Sequence, residues 1–110
     1  MAAEIELTDA GFEREILKGK GVAVVDFFAT WCGPCRMFGP IFKEFAAEAP
    51  AGVVVARADV DQCPQAAATL GIMSVPTVVI FKNGEAVERL VGAQSKAALL
   101  EKAKALSGAG

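Results

Sequence analysis

The stretch Val22–Cys35, VAVVDFFATWCGPC, joins two signals that together decide the fold. Its first half, Val22 to Phe28, is an almost unbroken apolar, β-branched run, as expected of a strand buried on both faces and covered by helices. Its second half sets Cys32 and Cys35 three positions apart, with Gly33 and Pro34 between them and Trp31 directly ahead. Pro34 suits a first helical turn, because its φ is already helical and its missing N–H has no partner to lose there. A reactive loop just past a central strand is the arrangement of α/β sheets, whose sites lie at the carboxyl ends of their strands.

The flanking segments complete that sheet. Upstream, Ile5 and Leu7 alternate with acids in a short strand; Thr8 or Asp9 can cap a helix with Phe12, Ile16 and Leu17 on its apolar side, ended by Gly19 and Gly21. Downstream, RMFGPIFKEFAAEA has helical periodicity, with Met37, Ile41 and Phe45 on one side and Glu44 and Glu48 on the other, and Pro40 predicts a kink. GVVVARADV reads as a third strand, and DQCPQAAATLG as a short helix starting near Asp61 or Cys63 and stopped by Gly71. In PTVVIFKNGEAVERLVG two β-rich runs meet at Asn83-Gly84, a pair that tolerates the positive φ angles of a tight hairpin. Ser95 can cap a last helix whose Leu99, Ala103 and Leu106 point inward. The order β-α-β-α-β-α-β-β-α predicts one α/β domain over residues 1–110, a mixed sheet between helices, with 107–110 as a frayed tail.

Composition narrows the function. A chain of 110 residues buries roughly two-thirds of its unfolded surface in a single core and needs no staples. Eleven basic against thirteen acidic residues, without a basic cluster, argue against nucleic acid. Charges and turn residues interrupt every apolar run well short of the roughly 18 residues that span a bilayer. The N-terminus MAAEIELTDAGF lacks the basic start and apolar stretch of a secretory signal, so a cytoplasmic location is expected.

Three cysteines, an odd number, make a structural disulfide framework a poor explanation. A zinc site needs about four ligands, and one C-x-x-C, a distant Cys63 and no histidine do not supply them, so no metal is expected. Electron exchange remains. In a first helical turn Cys32 and Cys35 can come within disulfide range and close or open with little backbone movement. The helix N-terminus favours an anion at Cys32, the outer of the two, making it the nucleophile; Cys35 would resolve the mixed disulfide. Gly33 leaves room for a partner chain, and Pro34 adds no charge to stabilise the thiolate further, which favours a reductant over an oxidant.

WCGPC, together with VVDFFAT upstream and MSVPT, FKNGE and LVGAQSK downstream, closely resembles the thioredoxin family over essentially the whole chain. That resemblance implies the thioredoxin fold, five mixed strands flanked by four helices, and a general protein-disulfide reductase that is itself re-reduced by a thioredoxin reductase. It implies no cofactor, NADPH being bound by the reductase, and a monomer whose partners are disulfide-containing proteins. It further implies a buried Asp26 behind the disulfide, with a pKa raised by desolvation, as proton acceptor from Cys35. Val75-Pro76 would be a cis bond facing the cysteines and offering backbone to substrate, and Trp31, Ile72, Met73, Val75, Gly92 and Ala93 an apolar docking surface. Three positions depart from the family's usual pattern: Phe28 stands where tryptophan is usual, Arg57 where lysine is usual beside the buried Asp, a permanent cation expected to hold Asp26 ionised more firmly, and Cys63 is the third. Cys63, at a predicted helix start, is either a small inert residue or an accessory thiol. Dithiol oxidases and isomerases of the same fold commonly carry histidine between the cysteines, which this chain lacks.

Overall fold

The computed structural model describes residues 4–107. Five strands, β1 (Ile5–Glu6), β2 (Val22–Phe28), β3 (Val54–Asp59), β4 (Thr77–Lys82) and β5 (Glu85–Val91), form one sheet in the order β1-β3-β2-β4-β5. The first three run parallel, and β4 and β5 are antiparallel to their neighbours. Parallel pairing needs crossovers, and these are the helices: α1 (Asp9–Phe12), continued by a π-helical stretch (Glu13–Leu17), and α2 (Gly33–Glu48). Two more, α3 (Pro64–Leu70) and α4 (Lys96–Ser107), complete the four. This is the thioredoxin fold that the sequence resemblance implied.

Alternation along β2 divides the core in two. Ala23, Val25 and Phe27 pack with Phe12, Ile16, Ala66 and Phe81 on one side; Val22 and Val24 pack with Phe38, Phe42, Phe45 and Leu99 on the other. All seven β2 residues are buried, so the strand has no solvent face. Asp26, in the same alternating row as Val22 and Val24, is therefore carried into the layer beneath α2 and α4.

The helix ends follow local chemistry. Thr8 caps α1, its hydroxyl accepting from the Gly11 N–H at 3.1 Å. Ser95 does the same for Ala98 in α4 at 3.1 Å. Cys63 is the residue before α3, but its side chain caps nothing; the carboxylate of Asp9 reaches across and accepts from the N–H groups of Gln65 and Ala66 at 3.2 and 3.0 Å. At the β4–β5 hairpin, Asn83 and Gly84 both have positive φ, 51° and 85°. A Cβ on Gly84 would also collide with the Leu17 carbonyl, so this turn demands glycine twice over.

Three expectations need correction. The buried stripe of α2 is Phe38, Phe42 and Phe45, whereas Met37 is 79% exposed and Ile41 37%. The helix carries apolar residues over more than one stripe, and the orientation that buries three aromatic rings removes more apolar area from water. Leu17 is 43% exposed, because it follows the buried Ile16 and is turned about a quarter of a circle from it. Ser107 is not tail but the last residue of α4, its hydroxyl donating to the Ala103 carbonyl at 2.7 Å; residues 108–110 lie outside the described range. Pro40 sits inside α2 without ending it.

The two faces of α2 should respond very differently to truncation. Phe38→Ala is expected to lower unfolding stability by about 3–5 kcal/mol and Met37→Ala by less than about 0.5 kcal/mol, measured by urea denaturation. The reverse order would mean that the helix is rotated from the orientation described.

Candidate active site

At the end of β2 the chain turns through Ala29, Thr30 and Trp31 and enters α2 with Cys32 as N-cap and Pro34 in the first turn. Cys32 and Cys35 form a disulfide, with Cα atoms 5.2 Å apart. The Cys35 N–H points at Cys32 Sγ at 3.1 Å, so one of the helix's unpaired donors is aimed at that sulfur. Both cysteines are buried, Cys32 at 5% and Cys35 at 2% exposure, which makes Cys32 the outer one by a narrow margin. They pack with Phe28 and Ala29 and against Val60 and Val75.

The Val75-Pro76 bond is cis. Cys32 Sγ lies 3.6 Å from the Val75 carbonyl oxygen, so the segment before β4 faces the disulfide directly. Beside it Trp31, Val60, Ile72, Met73, Ser74 and Val75 line a cleft of about 350 Å³ that contains no charged side chain. Trp31 is 67% exposed, yet its ring is held, since Nε1–H donates to Asp61 Oδ2 at 3.0 Å. Met73 is 94% exposed. Of the expected surface residues, Gly92 and Ala93 do not line this cleft; Gly92 is tied to it through its N–H, which donates to the Pro76 carbonyl at 2.8 Å. A Cβ on Gly33 or Gly92 would meet nothing within 4 Å, so the space outside both is open.

Asp26 is fully buried and its pKa is pushed up to about 6, chiefly by desolvation. Arg57 opposes this: its Nε–H donates to Asp26 Oδ2 at 3.2 Å. The guanidinium offers that carboxylate a single bond and also lies over the Phe28 ring, with Cζ 3.9 Å from the centroid. Two of the departures from the family pattern, Phe28 and Arg57, are thus in contact. Arg57 lessens the rise in the Asp26 pKa without overcoming burial. Asp26 Oδ1 has no hydrogen-bond partner among the described residues, and neither does the buried Oε1 of Glu4, whose charge also raises the Asp26 pKa.

Cys63 lies within the core. It is fully buried, its thiol donates to the Leu7 carbonyl at 3.1 Å, and burial with Asp9 and Asp59 nearby pushes its pKa up to about 11. The helix start that suggested an activated thiol is outweighed by desolvation and two neighbouring acids. Among the described residues no cluster of three or more His, Cys, Asp or Glu could hold a metal ion, and no helix is long and apolar enough to cross a membrane.

The family model named Thioredoxin matches residues 3–105. The chain belongs to the thioredoxin family. It is 46% identical over 99 residues to a thioredoxin of Mycobacterium tuberculosis, covering 90% of this chain and 85% of that protein. Identity is also 46% over 96 residues with a bifunctional thioredoxin reductase/thioredoxin of Mycobacterium leprae, covering 87% of this chain and 21% of that protein. A mutant thioredoxin from Halobacterium salinarum superposes with a TM-score of 0.84 at 31% identity, covering 96% of this chain and 91% of that one. As a thioredoxin-family protein with a closed cysteine pair, it is a protein-disulfide oxidoreductase that works as a disulfide reductase.

Val60, Ser74 and Asp61 belong to this site, yet in the sequence Asp61 reads only as a helix start and Ser74 only as part of MSVPT. Val60 and Asp61 directly follow β3, a parallel strand whose carboxyl end lies beside that of β2, and that position was the available signal.

Asp26 gives the fold a pH dependence. Its carboxyl ionises near the ordinary 3.8 in the unfolded chain and at about 6 in the native one, so between these values only the unfolded form is charged. Stability therefore falls as pH rises through that window, by about 3 kcal/mol in all, and the loss is absent below pH of about 4. Asp26→Asn should raise stability at pH 7 by up to about 3 kcal/mol and change it little at pH 4, by urea unfolding. An equal effect at both pH values would contradict the assignment.

Proposed function

We propose that this chain reduces disulfides in other proteins with Cys32 as nucleophile, Cys35 as resolving thiol and Asp26 as proton acceptor. The observation that carries the reading is the Cys35 N–H aimed at Cys32 Sγ at the start of α2, 3.1 Å away. In the reduced protein that donor and the helix dipole would stabilise a Cys32 thiolate while Cys35 stays protonated behind it. The Cys32 thiolate attacks one sulfur of a substrate disulfide, a Cys32–substrate S–S bond forms, and the other substrate sulfur leaves and takes up a proton. Cys35 then gives its proton to Asp26 and attacks Cys32 Sγ; the mixed disulfide breaks, the second substrate sulfur leaves as a thiolate and takes up the proton that Asp26 gives back, and the Cys32–Cys35 bond closes. Two electrons and two protons have passed to the substrate.

Substrate selection would be broad. The uncharged cleft of Trp31, Ile72, Met73 and Val75 can take apolar segments of many sequences, and the Val75 backbone, which faces Cys32, can align an extended chain beside it. Gly92 supports that backbone through Pro76, and the exposed Ala93 next to it in the chain would extend the docking surface. Gly33 and Pro34 keep the approach to Cys32 open and its potential low, and Arg57 sets how readily Asp26 accepts a proton. Cys63 takes no part in exchange. The electrons would come from a thioredoxin reductase that binds the NADPH, a partnership supported by the joined reductase and thioredoxin of Mycobacterium leprae. The chain would act as a cytoplasmic, monomeric electron carrier with no cofactor or metal of its own.

The division of labour between the cysteines is testable by trapping. Cys35→Ser, incubated with a disulfide protein such as insulin, is expected to accumulate a mixed disulfide through Cys32, visible by mass spectrometry, while Cys32→Ser accumulates none. Equal trapping by the two variants would reverse or abolish the assigned roles.

A further inference from the structure

The cleft wall Ile72–Val75 sits on the connection between α3 and β4, and its position decides how a protein substrate meets Cys32. The helix end that launches it is built in two layers. Gly71, with φ of 64°, lets the Gly71 and Ile72 N–H groups turn back to the Ala68 and Ala67 carbonyls at 3.1 and 2.9 Å, which satisfies two of the last helical acceptors. The next acceptors are met from another element. Arg89, on β5 opposite Val79, donates through Nη2 to the Leu70 carbonyl and through Nη1 to the Gly71 carbonyl, the latter at 3.3 Å. A guanidinium suits this place, since it forks onto two neighbouring oxygens and its charge meets the negative end of the helix. The far end of the connection is also pinned, by Thr77 Oγ1–H to the Ser74 carbonyl at 2.7 Å and by the Gly92 N–H to the Pro76 carbonyl.

We propose that Arg89 is a positioning residue for protein substrates: its fork on the Leu70 and Gly71 carbonyls fixes the Ile72–Val75 wall of the cleft beside Cys32. Arg89 touches neither the cysteines nor the cleft, so it acts through the loop alone. It is exposed, and water can take over the two carbonyls when it is removed; the consequence is a looser wall rather than a lost fold. A loose wall must be ordered at each docking event, which raises the KM of large substrates and leaves the sulfur chemistry unaffected.

The inference rests on the docking role given to the cleft under the proposed function, and the experiment separates the two. Reduction of insulin and of hydroxyethyl disulfide, which is too small to span the cleft, is followed for wild type, Arg89→Ala, Arg89→Lys and Met73→Asp with dithiothreitol as electron donor. Arg89→Ala should raise KM for insulin about fivefold while the rate constant for hydroxyethyl disulfide changes less than about twofold. Arg89→Lys, whose ammonium can hold one carbonyl, should restore about half of that loss on a logarithmic scale. Amide hydrogen exchange at Ile72 and Met73 should be faster in Arg89→Ala than in wild type, a readout that does not depend on turnover. An unchanged insulin KM in Arg89→Ala, or an equal loss with both substrates, overturns the proposal. If Met73→Asp raises the insulin KM and Arg89→Ala does not, the clamp alone is wrong; if neither does, the docking reading fails with it. Should Arg89→Ala not fold, Arg89→Lys carries the test, with a KM rise of about twofold expected and no change contradicting it.

Discussion

Strand β2 has no solvent face, and this constraint shapes everything at the reactive end of the molecule. It lies between β3 and β4, with one helical layer packed on each of its sides. A strand enclosed in this way must be apolar almost throughout, and Asp26 is the exception. The same enclosure that raises the Asp26 pKa also holds the strand end from which Trp31 and Cys32 emerge. The destabilising buried acid and the rigid platform for the disulfide thus have one cause.

The electrostatics follow from how little compensation that acid receives. One hydrogen bond from Arg57, and an Oδ1 with no partner among the described residues, leave the carboxyl with a pKa of about 6. The same guanidinium lies over the Phe28 ring, so the cation that lowers the Asp26 pKa is itself in contact with residue 28.

Much of this was readable before any coordinates because the informative features are local. Val22 to Phe28 reads as a buried strand from seven adjacent residues, the Asn83-Gly84 turn from two, and the redox pair from five. The rotation of α2 was not readable in the same way: Met37, Phe38, Ile41, Phe42 and Phe45 span more than one stripe, and only the sheet beneath decides which three are buried. The capping of α3 by Asp9 escaped for a similar reason, since its donors are more than fifty residues away. Val60, Asp61 and Arg89 enter the site or its support through tertiary contact, with no motif of their own. Cys63 shows the opposite error, in which a local signal for reactivity is cancelled by burial and by acids on other elements.

The central claim is that the Cys32–Cys35 pair gives electrons to other disulfides. Its equilibrium potential tests this most directly, measured by titrating the pair against a redox buffer and following the Trp31 fluorescence or the mass of the alkylated thiols. A reductant with the Gly-Pro pair between its cysteines is expected near the value of thioredoxins, about -270 mV. A potential between about -180 and -120 mV, the range of protein disulfide isomerase and of strong dithiol oxidants, would contradict it.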